Sequence, residues 1–363
     1  MRKASVLIMI LACFGLVFAA CGDDSESSSD ADSTNSTVDD ADSTSSSTAS
    51  DENAADDDVE QDGATTTAAD GTTDSATDGD DEDGVFPVTV PSGDATLTID
   101  AKPMAIVSLS PTSTEMLFAI GAGDQVIAVD EASDYPAEAP VTDLSGYEPN
   151  IEAILSYGPD LVVASSAAIA DGLEAAGVPL LVQSAVDDFD GMYEEIEQLG
   201  AVTGHVGDAA ELVAQMQADI DEIVAEVPET DETLTYFHEL DNTLYTVTSD
   251  TFIGEVYSLF DLENIADAAD PNGEFGGYPQ VSTELILDEN PDLIFLADTK
   301  CCDETPETVA DRDGWEDLRA VQNGDVVELD DDVASRWGPR VVDFVGDVAD
   351  AVTTVRARAT AAE

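Results

Sequence analysis

The chain contains 363 residues, of which 81 are Asp or Glu and only 10 are Lys or Arg, so its formal net charge is −71. A chain this acidic offers no basic stripe to neutralise phosphates, which excludes nucleic acid as a partner. Its length is sufficient to bury a large core, in one domain or in two lobes.

The N-terminus carries the features of a signal peptide over residues 1–20. Arg2 and Lys3 precede an unbroken run of apolar or small residues that ends directly before Cys21. Small residues before a cysteine resemble a bacterial lipoprotein processing site, which implies that Cys21 becomes the lipidated first residue. An uncleaved anchor is the alternative, because the run is about long enough to span a bilayer. Either way the sequence predicts an exported chain held at the outer face of the cell membrane.

An acidic segment follows Cys21. Residues 22–85 contain 22 Asp or Glu and no Lys or Arg, with Ser, Thr, Ala and Gly filling most of the rest. Such a segment has little apolar surface to bury, and its like charges repel one another. The region 21–85 is therefore predicted to be a lipidated cysteine followed by a disordered linker, and the folded domain is predicted over 86–363.

The folded domain begins with an alternation of strands and helices. A hairpin is predicted over 86–99, because its alternating pattern is interrupted by turn residues. A strand over 106–110 leads into a helix that has Pro111 near its start and Glu115 in its first turn. The next strand is predicted over 126–129. This order of elements is typical of an α/β fold.

A unit of helix and strand then occurs twice. Glu152, Ile154, Leu155, Pro159, Asp160 and Leu161 recur 132 residues later as Glu284, Ile286, Leu287, Pro291, Asp292 and Leu293. Each copy predicts a short helix, a Pro-Asp turn and a fully apolar strand of the kind buried in parallel sheets. The repetition predicts two lobes of similar design, each with its own sheet. It also places one carboxylate, Glu152 or Glu284, at the same point of each lobe, which suits a partner that contacts both lobes.

A long amphipathic helix is predicted between the two copies. Apolar residues recur with a helical period over 207–227, and a helix of that length extends about 30 Å. The predicted organisation is an N-lobe at about 86–203, a linking helix at about 205–227 and a C-lobe at about 230–363, which opens with strands over 233–238 and 243–248. The fold class is therefore α/β, with two lobes that each contain a mostly parallel sheet flanked by helices and that are connected by a single long helix.

Two cysteines lie in the folded domain. Cys301 and Cys302 are adjacent, and outside the cytoplasm they can oxidise to a vicinal disulfide. Two free thiols are the equal alternative. No four-ligand spacing surrounds the pair, so a metal site is not predicted there.

Several motifs resemble the substrate-binding proteins of bacterial ABC importers for ferric siderophores and vitamin B12. The motifs are IVSLSPTSTEMLFAIG at 106–121, SDYP at 133–136, NIEAI at 150–154, YPQVSTE at 278–284, PDLI at 291–294 and SRWGPR at 335–340. They stand in the expected order, and the resemblance covers residues 86–355. It implies two lobes joined by one long helix, a small-molecule metal chelate as the ligand, and neither a cofactor nor a catalytic site.

The resemblance also implies a role for the repeated carboxylates. In this family the corresponding acids dock into arginine pockets on the ABC importer permease dimer, and Glu152 and Glu284 match those positions. The alternative is that each glutamate merely complements a helix dipole from the first turn. The recurrence of the acid in both copies favours docking.

The ligand of the family lies between the lobes, where aromatic and arginine side chains contact it. The candidate contacts are Tyr147, Tyr278, Arg336, Trp337 and Arg340. An ion pair with Asp343 is the alternative role for Arg340, and core packing is the alternative for Trp337.

Two small residues affect the choice of ligand. Ala132 and Ser165 stand where vitamin B12 binders are expected to carry rings, so a ferric siderophore is ranked first and vitamin B12 (cobalamin) second. The metal arrives chelated, so no protein ligands to metal are predicted. Zinc and manganese receptors need clustered histidines, and this chain has only His205 and His238.

Two functions from other classes compete with the receptor. An exported hydrolase needs a nucleophile and a base, but no G-x-S-x-G motif occurs and neither histidine has a Ser-His-Asp context. A passive surface adhesin suits the acidic linker but leaves the matched glutamates unexplained. The sequence therefore predicts a monomeric, lipid-anchored receptor that is not an enzyme and that delivers a metal chelate to an ABC importer.

Overall fold

The computed structural model describes residues 84–230 and 232–362, which fall in one structural unit, Asp80–Glu363. The predictions of a signal peptide over 1–20, of lipidation at Cys21 and of a disordered linker lie outside the described residues, apart from the last two linker positions. Within the described ranges, no helix combines the length and the apolar composition needed to cross a bilayer.

An antiparallel hairpin begins the folded domain. It consists of β1 (Val88–Ser92) and β2 (Ala95–Ile99), as the alternating pattern predicts. The hydroxyl of Ser92 donates to the carbonyl of Leu180 at 3.1 Å and accepts from the N–H of Val182 at 2.9 Å. These bonds attach the hairpin to the edge of the first lobe.

The first lobe is built on a four-stranded parallel sheet with the order β4–β3–β5–β6. Its strands are β3 (Ile106–Leu109), β4 (Val126–Val129), β5 (Leu161–Ala164) and β6 (Leu180–Val182). Its helices are α1 (Pro111–Ala119), α2 (Ile151–Ser156), α3 (Ala170–Ala176) and α4 (Phe189–Thr203), and a 3-10 turn covers Gly123–Gln125.

Helix α1 begins as its sequence predicts. The Ser110 hydroxyl caps it by accepting the N–H of Ser113 at 3.3 Å, and Pro111 occupies the first turn, where its missing N–H costs nothing. The prediction that Glu115 lies in the first turn was wrong. Glu115 lies one turn further on, where it is buried and cannot serve the helix dipole.

The two lobes are connected by α5 (Val206–Glu226), a helix of 21 residues. Its buried positions are Ala209, Val213, Met216 and Ile220, spaced by three or four residues so that they form one apolar face. The helix ends before Pro228, because a residue that precedes proline avoids helical dihedrals.

The second lobe repeats the parallel sheet with the order β8–β7–β9–β10. Its strands are β7 (Thr235–Glu239), β8 (Glu263–Asn264), β9 (Leu293–Leu296) and β10 (Val326–Glu328). Its helices are α6 (Phe252–Ser258), α7 (Thr283–Glu289), α8 (Thr299–Cys302), α9 (Pro306–Ala310), α10 (Arg319–Asn323), α11 (Asp331–Ser335) and α12 (Val341–Ala362), and 3-10 turns cover Asp267–Ala269 and Trp315–Asp317.

The strand orders of the two sheets match element for element. Strands β3, β4, β5 and β6 of the first lobe correspond to β7, β8, β9 and β10 of the second. The sequence repeat falls on α2 and β5 in the first lobe and on α7 and β9 in the second. The predicted fold of two α/β lobes with parallel sheets joined by one long helix is therefore confirmed.

The strand predicted over 243–248 does not form. Leu244 has a positive φ of 69°, and only one isolated bridge, from Tyr245 to Gln280, forms in this segment. The backbone N–H of Thr246 instead donates to Pro279 at 3.0 Å. Alternating residues favour a strand only when a sheet edge accepts them, and here a loop supplies the backbone partners.

One apolar core continues through both lobes. It includes Met116 and Leu199 of the first lobe, Met216 of α5, and Tyr236 and Phe344 of the second lobe. Two smaller clusters cover the opposite faces of the two sheets, so both faces of each sheet are buried, as is usual for parallel sheets. A shared core of this kind holds the lobes in one relative orientation.

Candidate functional site

The repeated glutamates occupy equivalent surface positions. Glu152 is the second residue of α2 and Glu284 the second residue of α7, and both side chains are exposed. Each helix is capped by a neighbouring side chain, since Asn150 accepts the N–H of Ala153 at 3.1 Å and Ser282 that of Leu285 at 3.3 Å. Neither glutamate has a hydrogen-bond or ion-pair partner in the part of the chain that the structure describes. Both carboxylates are thus available to a partner.

The aspartates of the repeat have a structural role. Asp160 accepts the backbone N–H groups of Met104 and Ala105 at 2.8 and 2.9 Å. In the second lobe, Asp292 accepts the N–H of Thr235 at 3.0 Å. Each aspartate therefore fixes the start of the neighbouring central strand, β3 or β7. Of the two acids in each copy of the repeat, only the glutamate remains free.

The candidate arginines form an ion-pair cluster around the buried Glu115, between the lobes. Arg340 donates from Nε to Oε2 of Glu115 at 2.8 Å and from Nη2 to Oε1 at 2.6 Å. Arg336 donates from Nη1 to the same Oε1 at 2.7 Å. Glu115 belongs to the first lobe and is only 3% exposed, whereas both arginines belong to the second. No ion pair between Arg340 and Asp343 forms within the described ranges, so that alternative was wrong.

Further contacts hold the two guanidinium groups in place. Arg336 also donates to a carboxylate oxygen of Asp332 at 2.6 Å, to the carbonyl of Ala132 at 3.2 Å and to Asp134 at 3.5 Å. The guanidinium of Arg340 lies 4.3 Å from the centre of the Tyr135 ring, a cation–π distance. The cluster therefore positions the loop that follows β4 against the second lobe.

A cavity of about 420 Å³ lies beside this cluster. Helix α1 and residues 135–138 of the first lobe form one wall, and residues 339–343 of the second lobe form the other. Its charged side chains are Glu115, Glu138, Arg340 and Asp343. The cavity is therefore bounded by both lobes, and its lining carries more negative than positive charge.

Trp337 also contacts the first lobe. Its Nε1–H donates to Oε2 of Glu195 on α4 at 3.0 Å, while its ring packs half-buried against the shared core. Burial raises the pKa of Glu195 to about 7, although the bond from Trp337 opposes this shift. Both roles considered for Trp337 thus remain open, because the ring lies at the junction of the lobes and is also part of the core.

We expect the fluorescence of Trp337 to report the ionisation of Glu195. A charged carboxylate accepts a stronger hydrogen bond from the indole than a neutral acid does, so the emission maximum should shift with a midpoint near pH 7. A Trp315→Phe background leaves Trp337 as the only tryptophan of the two in the chain. A shift of the emission maximum that persists in Glu195→Gln would contradict this assignment.

The same ionisation affects stability. Because folding raises the pKa of Glu195 above its usual 4.5, the contribution of Glu195 to the free energy of unfolding falls as the pH rises from about 4.5 to 7.

A third carboxylate joins the lobes near the linking helix. Glu255 of α6 accepts the backbone N–H of Phe189, the first residue of α4, at 2.7 Å. The ring of Phe189 lies 5.4 Å from that of Phe252 in an edge-to-face arrangement. The lobes are thus joined by contacts of Glu115, Glu195 and Glu255.

The two remaining aromatic candidates, Tyr147 and Tyr278, are not bonded to the arginines in the described part of the chain. Tyr147 is 58% exposed and precedes α2, and Tyr278 is half-buried before α7. Burial and the charge of Asp187 raise the pKa of Tyr278, so its hydroxyl stays protonated. Among the described residues, no hydrogen bond or ring contact joins either tyrosine to the cluster around Glu115. Their assignment to the ligand remains a prediction.

The adjacent cysteines form a disulfide in α8, with their Cα atoms 3.8 Å apart. The carboxylate of Asp331 accepts the N–H groups of Thr299, Lys300 and Cys301 at 2.9 to 3.1 Å. Asp331 therefore compensates the free N–H groups at the start of this short helix.

A second buried charge cluster lies at the ends of β7 and β9. Arg312 donates to both carboxylate oxygens of Glu239 at 2.7 and 2.5 Å, and to Glu304 at 2.8 Å. Glu239 and Asp298 are fully buried, and their carboxyl groups are hydrogen-bonded to each other. Burial, followed by the neighbouring charge of Glu239, raises the pKa of Asp298, so that this acid keeps its proton.

No group of three His, Cys, Asp or Glu among residues 84–230 and 232–362 is arranged to hold a metal ion. His238 is fully buried, its Nδ1 lies 2.7 Å from the hydroxyl of Tyr257, and burial lowers its pKa to about 3. His238 is thus a neutral core residue, as its strand pattern indicates.

Sequence reasoning did not identify Glu115 and Glu195 as junction residues. Glu115 stands alone among apolar and small residues of α1, five of which are buried with it. A single acid on a helix face that is otherwise buried is the one available signal, because such a charge needs a cation.

Comparison with known proteins agrees with the resemblance seen in the sequence. Residues 106–333 match the family described as periplasmic binding protein. The chain is 34% identical over 280 residues to an uncharacterized ABC transporter substrate-binding lipoprotein of Bacillus subtilis (strain 168), a match that covers 74% of this chain and 86% of that protein. It is 31% identical over 278 residues to a cobalamin-binding protein of Halobacterium salinarum, with 73% and 74% covered.

The fold is also similar to that of solved proteins. One of them is a possible iron-binding, periplasmic solute-binding protein from Staphylococcus epidermidis, with a TM-score of 0.61 and 26% sequence identity. The match covers 69% of this chain and 99% of that protein.

Proposed function

The chain belongs to the periplasmic binding protein family, and from that premise we propose that it is the substrate-binding receptor of an ABC importer. It captures a metal chelate between its two lobes and delivers the chelate to the permease dimer. It catalyses no reaction. Cys21 carries the lipid that holds the receptor at the outer face of the cell membrane, and the receptor acts as a monomer.

One observation carries this proposal. Glu152 and Glu284 are exposed, without partners in the described chain, and at the same position of corresponding helices in the two lobes. A hydrolase or an adhesin has no need for such a matched pair. A permease dimer with one arginine pocket on each subunit has that need, because it contacts both lobes at once.

We place cobalamin first among the candidate ligands, which reverses the order predicted from the sequence. The relative from Halobacterium salinarum is named as a cobalamin-binding protein, and the arginines expected to attract an anionic siderophore are held by Glu115. A ferric siderophore is the second candidate, because Ala132 and Ser165 are exposed and offer no ring for stacking on a flat corrin. Since one core runs through both lobes, we propose that only a small closure accompanies binding.

Fluorescence quenching tests the receptor. The full chain in detergent is titrated with cyanocobalamin, a ferric trihydroxamate, a ferric tricatecholate and ferric citrate, with correction for ligand absorbance. We expect saturable quenching by at least one chelate, with a Kd at or below about 1 μM. Quenching should survive Trp315→Phe, because Trp315 is only 1% exposed, and should be lost in Trp337→Phe, whose ring lies at the lobe junction.

The ligand series also decides between the candidates. Binding of cyanocobalamin alone supports the corrinoid, and binding of a ferric chelate alone moves the assignment to a siderophore. If none of the four chelates binds, the proposed function is wrong.

A further inference from the structure

The ion-pair cluster between the lobes carries a surplus of negative charge. Three carboxylates, of Glu115, Asp134 and Asp332, lie within ion-pair distance of the two guanidinium groups of Arg336 and Arg340. Asp332 also pairs with Lys300, which in turn pairs with Asp330. Counted with Lys300 and Asp330, four carboxylates face three cations, so the formal charge of the cluster is one unit negative. Glu138 and Asp343, which line the adjoining cavity, add to it. A ligand that approaches this junction meets a negative field despite the two arginines.

An anion that displaced Glu115 from the arginines would break contacts made to a buried carboxylate. Their side chains are only 12% and 16% exposed, and that of Glu115 is 1% exposed. Arg340 binds Glu115 through two parallel N–H groups, the arrangement that guanidinium and carboxylate groups prefer. An anion that took over these donors would leave Glu115 as an unpaired buried charge, which is strongly unfavourable.

We infer that Glu115 sets the charge of the chelate that the receptor accepts. By holding both arginines and keeping the junction net negative, it admits neutral or cationic chelates and rejects anionic ones. The inference rests on the proposed function, because it assigns a charge class to the ligand of that same site. Glu115 acts through the arginines and the local field, so it is a positioning residue.

Matched pairs of chelates that differ by one carboxylate test the inference. One pair is cyanocobalamin and its monocarboxylic acid, in which one side-chain amide is hydrolysed. The other is a linear ferric trihydroxamate with its terminal amine either acetylated, which is neutral, or succinylated, which is anionic. Each member is titrated against the full chain in detergent by isothermal calorimetry. In whichever pair binds, we expect the neutral member to bind about tenfold more tightly, the effect of one unit charge at a partly buried site.

Substitution of Glu115 should remove this discrimination. Glu115→Gln keeps the size of the side chain but brings the formal charge of the cluster to zero and frees part of one guanidinium group. The Kd of the anionic member should fall about tenfold, while that of the neutral member should change less than about threefold. Glu211→Gln is the matched control, because it removes the same charge from an exposed position of α5 away from the junction. Glu211→Gln should leave the ratio of the Kd values of the anionic and neutral members unchanged.

Each outcome bears on the inference. An anionic member that binds the unaltered chain as tightly as its neutral partner overturns the inference and leaves the proposed function standing. If Glu115→Gln and Glu211→Gln change the ratio of the two Kd values equally, the role of Glu115 is overturned, since the overall charge of the chain would then explain the discrimination. If neither pair binds at all, the proposed function fails and the inference with it.

A measurement on the unaltered chain covers the case in which Glu115→Gln does not fold. Salt screens a repulsive field, so the preference for the neutral member should shrink when the ionic strength is raised from about 0.05 M to 0.5 M. A preference that does not change with salt overturns the inference.

Discussion

Replacing both Glu152 and Glu284 by alanine is expected to weaken binding to the permease dimer about 1000-fold and to leave ligand affinity unchanged. Both carboxylates are exposed and lack partners in the described chain, so each contributes to the folded receptor no more than its interaction with the helix dipole, about 0.3–1 kcal/mol. Removing one member of a charge pair that is buried in a complex costs about 2–5 kcal/mol. We therefore expect each single variant to bind about 30-fold more weakly and the double variant about 1000-fold more weakly.

The measurement is co-purification and binding of the full chain to the detergent-solubilised permease, combined with ligand titration of each variant. Glu211→Ala with Glu222→Ala is the matched control, because both residues are exposed on α5 and the change in net charge is the same. A double variant at Glu152 and Glu284 that binds the permease normally would leave their recurrence without a docking role. A control pair that loses binding equally would assign the effect to overall charge.

The fold was predictable because its signals are local or repeated. Strand β4 appears in the structure at the predicted residues, and β5 follows the Pro-Asp turn as predicted, since each is a short apolar run next to turn signals. The repeat supplied the lobe organisation, because the same pattern at Glu152 and Glu284 indicates the same helix and strand twice. The family predicted from the motifs is confirmed by the match over residues 106–333.

The junction was not predictable because its signals are long-range. Arg336 and Glu115 are 221 residues apart in the sequence. With 81 acidic residues in the chain, no pattern identifies which of them an arginine meets. Strand β8 has only two residues, too few for a period, and the segment over 243–248 has a strand pattern but bonds to a loop. In each case the conformation or the partner depends on a tertiary contact that local sequence propensity does not specify.

The second large effect is expected for Arg312→Ala, which should lower the free energy of unfolding by about 3–5 kcal/mol at pH 7. Arg312 is the cation that balances Glu239, whose side chain has no exposed surface. Its guanidinium also lies 4.6 Å from the centre of the Trp315 ring, so the alanine variant loses packing as well as charge. Asp298 offers no compensation, because burial raises its pKa and it already holds a proton.

Urea unfolding of the full chain, followed by far-ultraviolet circular dichroism, measures the loss. Arg319→Ala is the matched control, because Arg319 pairs with Asp292 but its side chain is half exposed, and such pairs contribute about 1 kcal/mol or less. The loss should also depend on pH in a defined direction. Burial already raises the pKa of Glu239, and without Arg312 that pKa rises further, so the folded variant binds a proton that the unfolded chain releases. The loss in free energy of unfolding caused by Arg312→Ala should therefore be smaller at pH 5 than at pH 8. A loss that does not depend on pH would show that missing packing, and not the unpaired charge of Glu239, destabilises the variant.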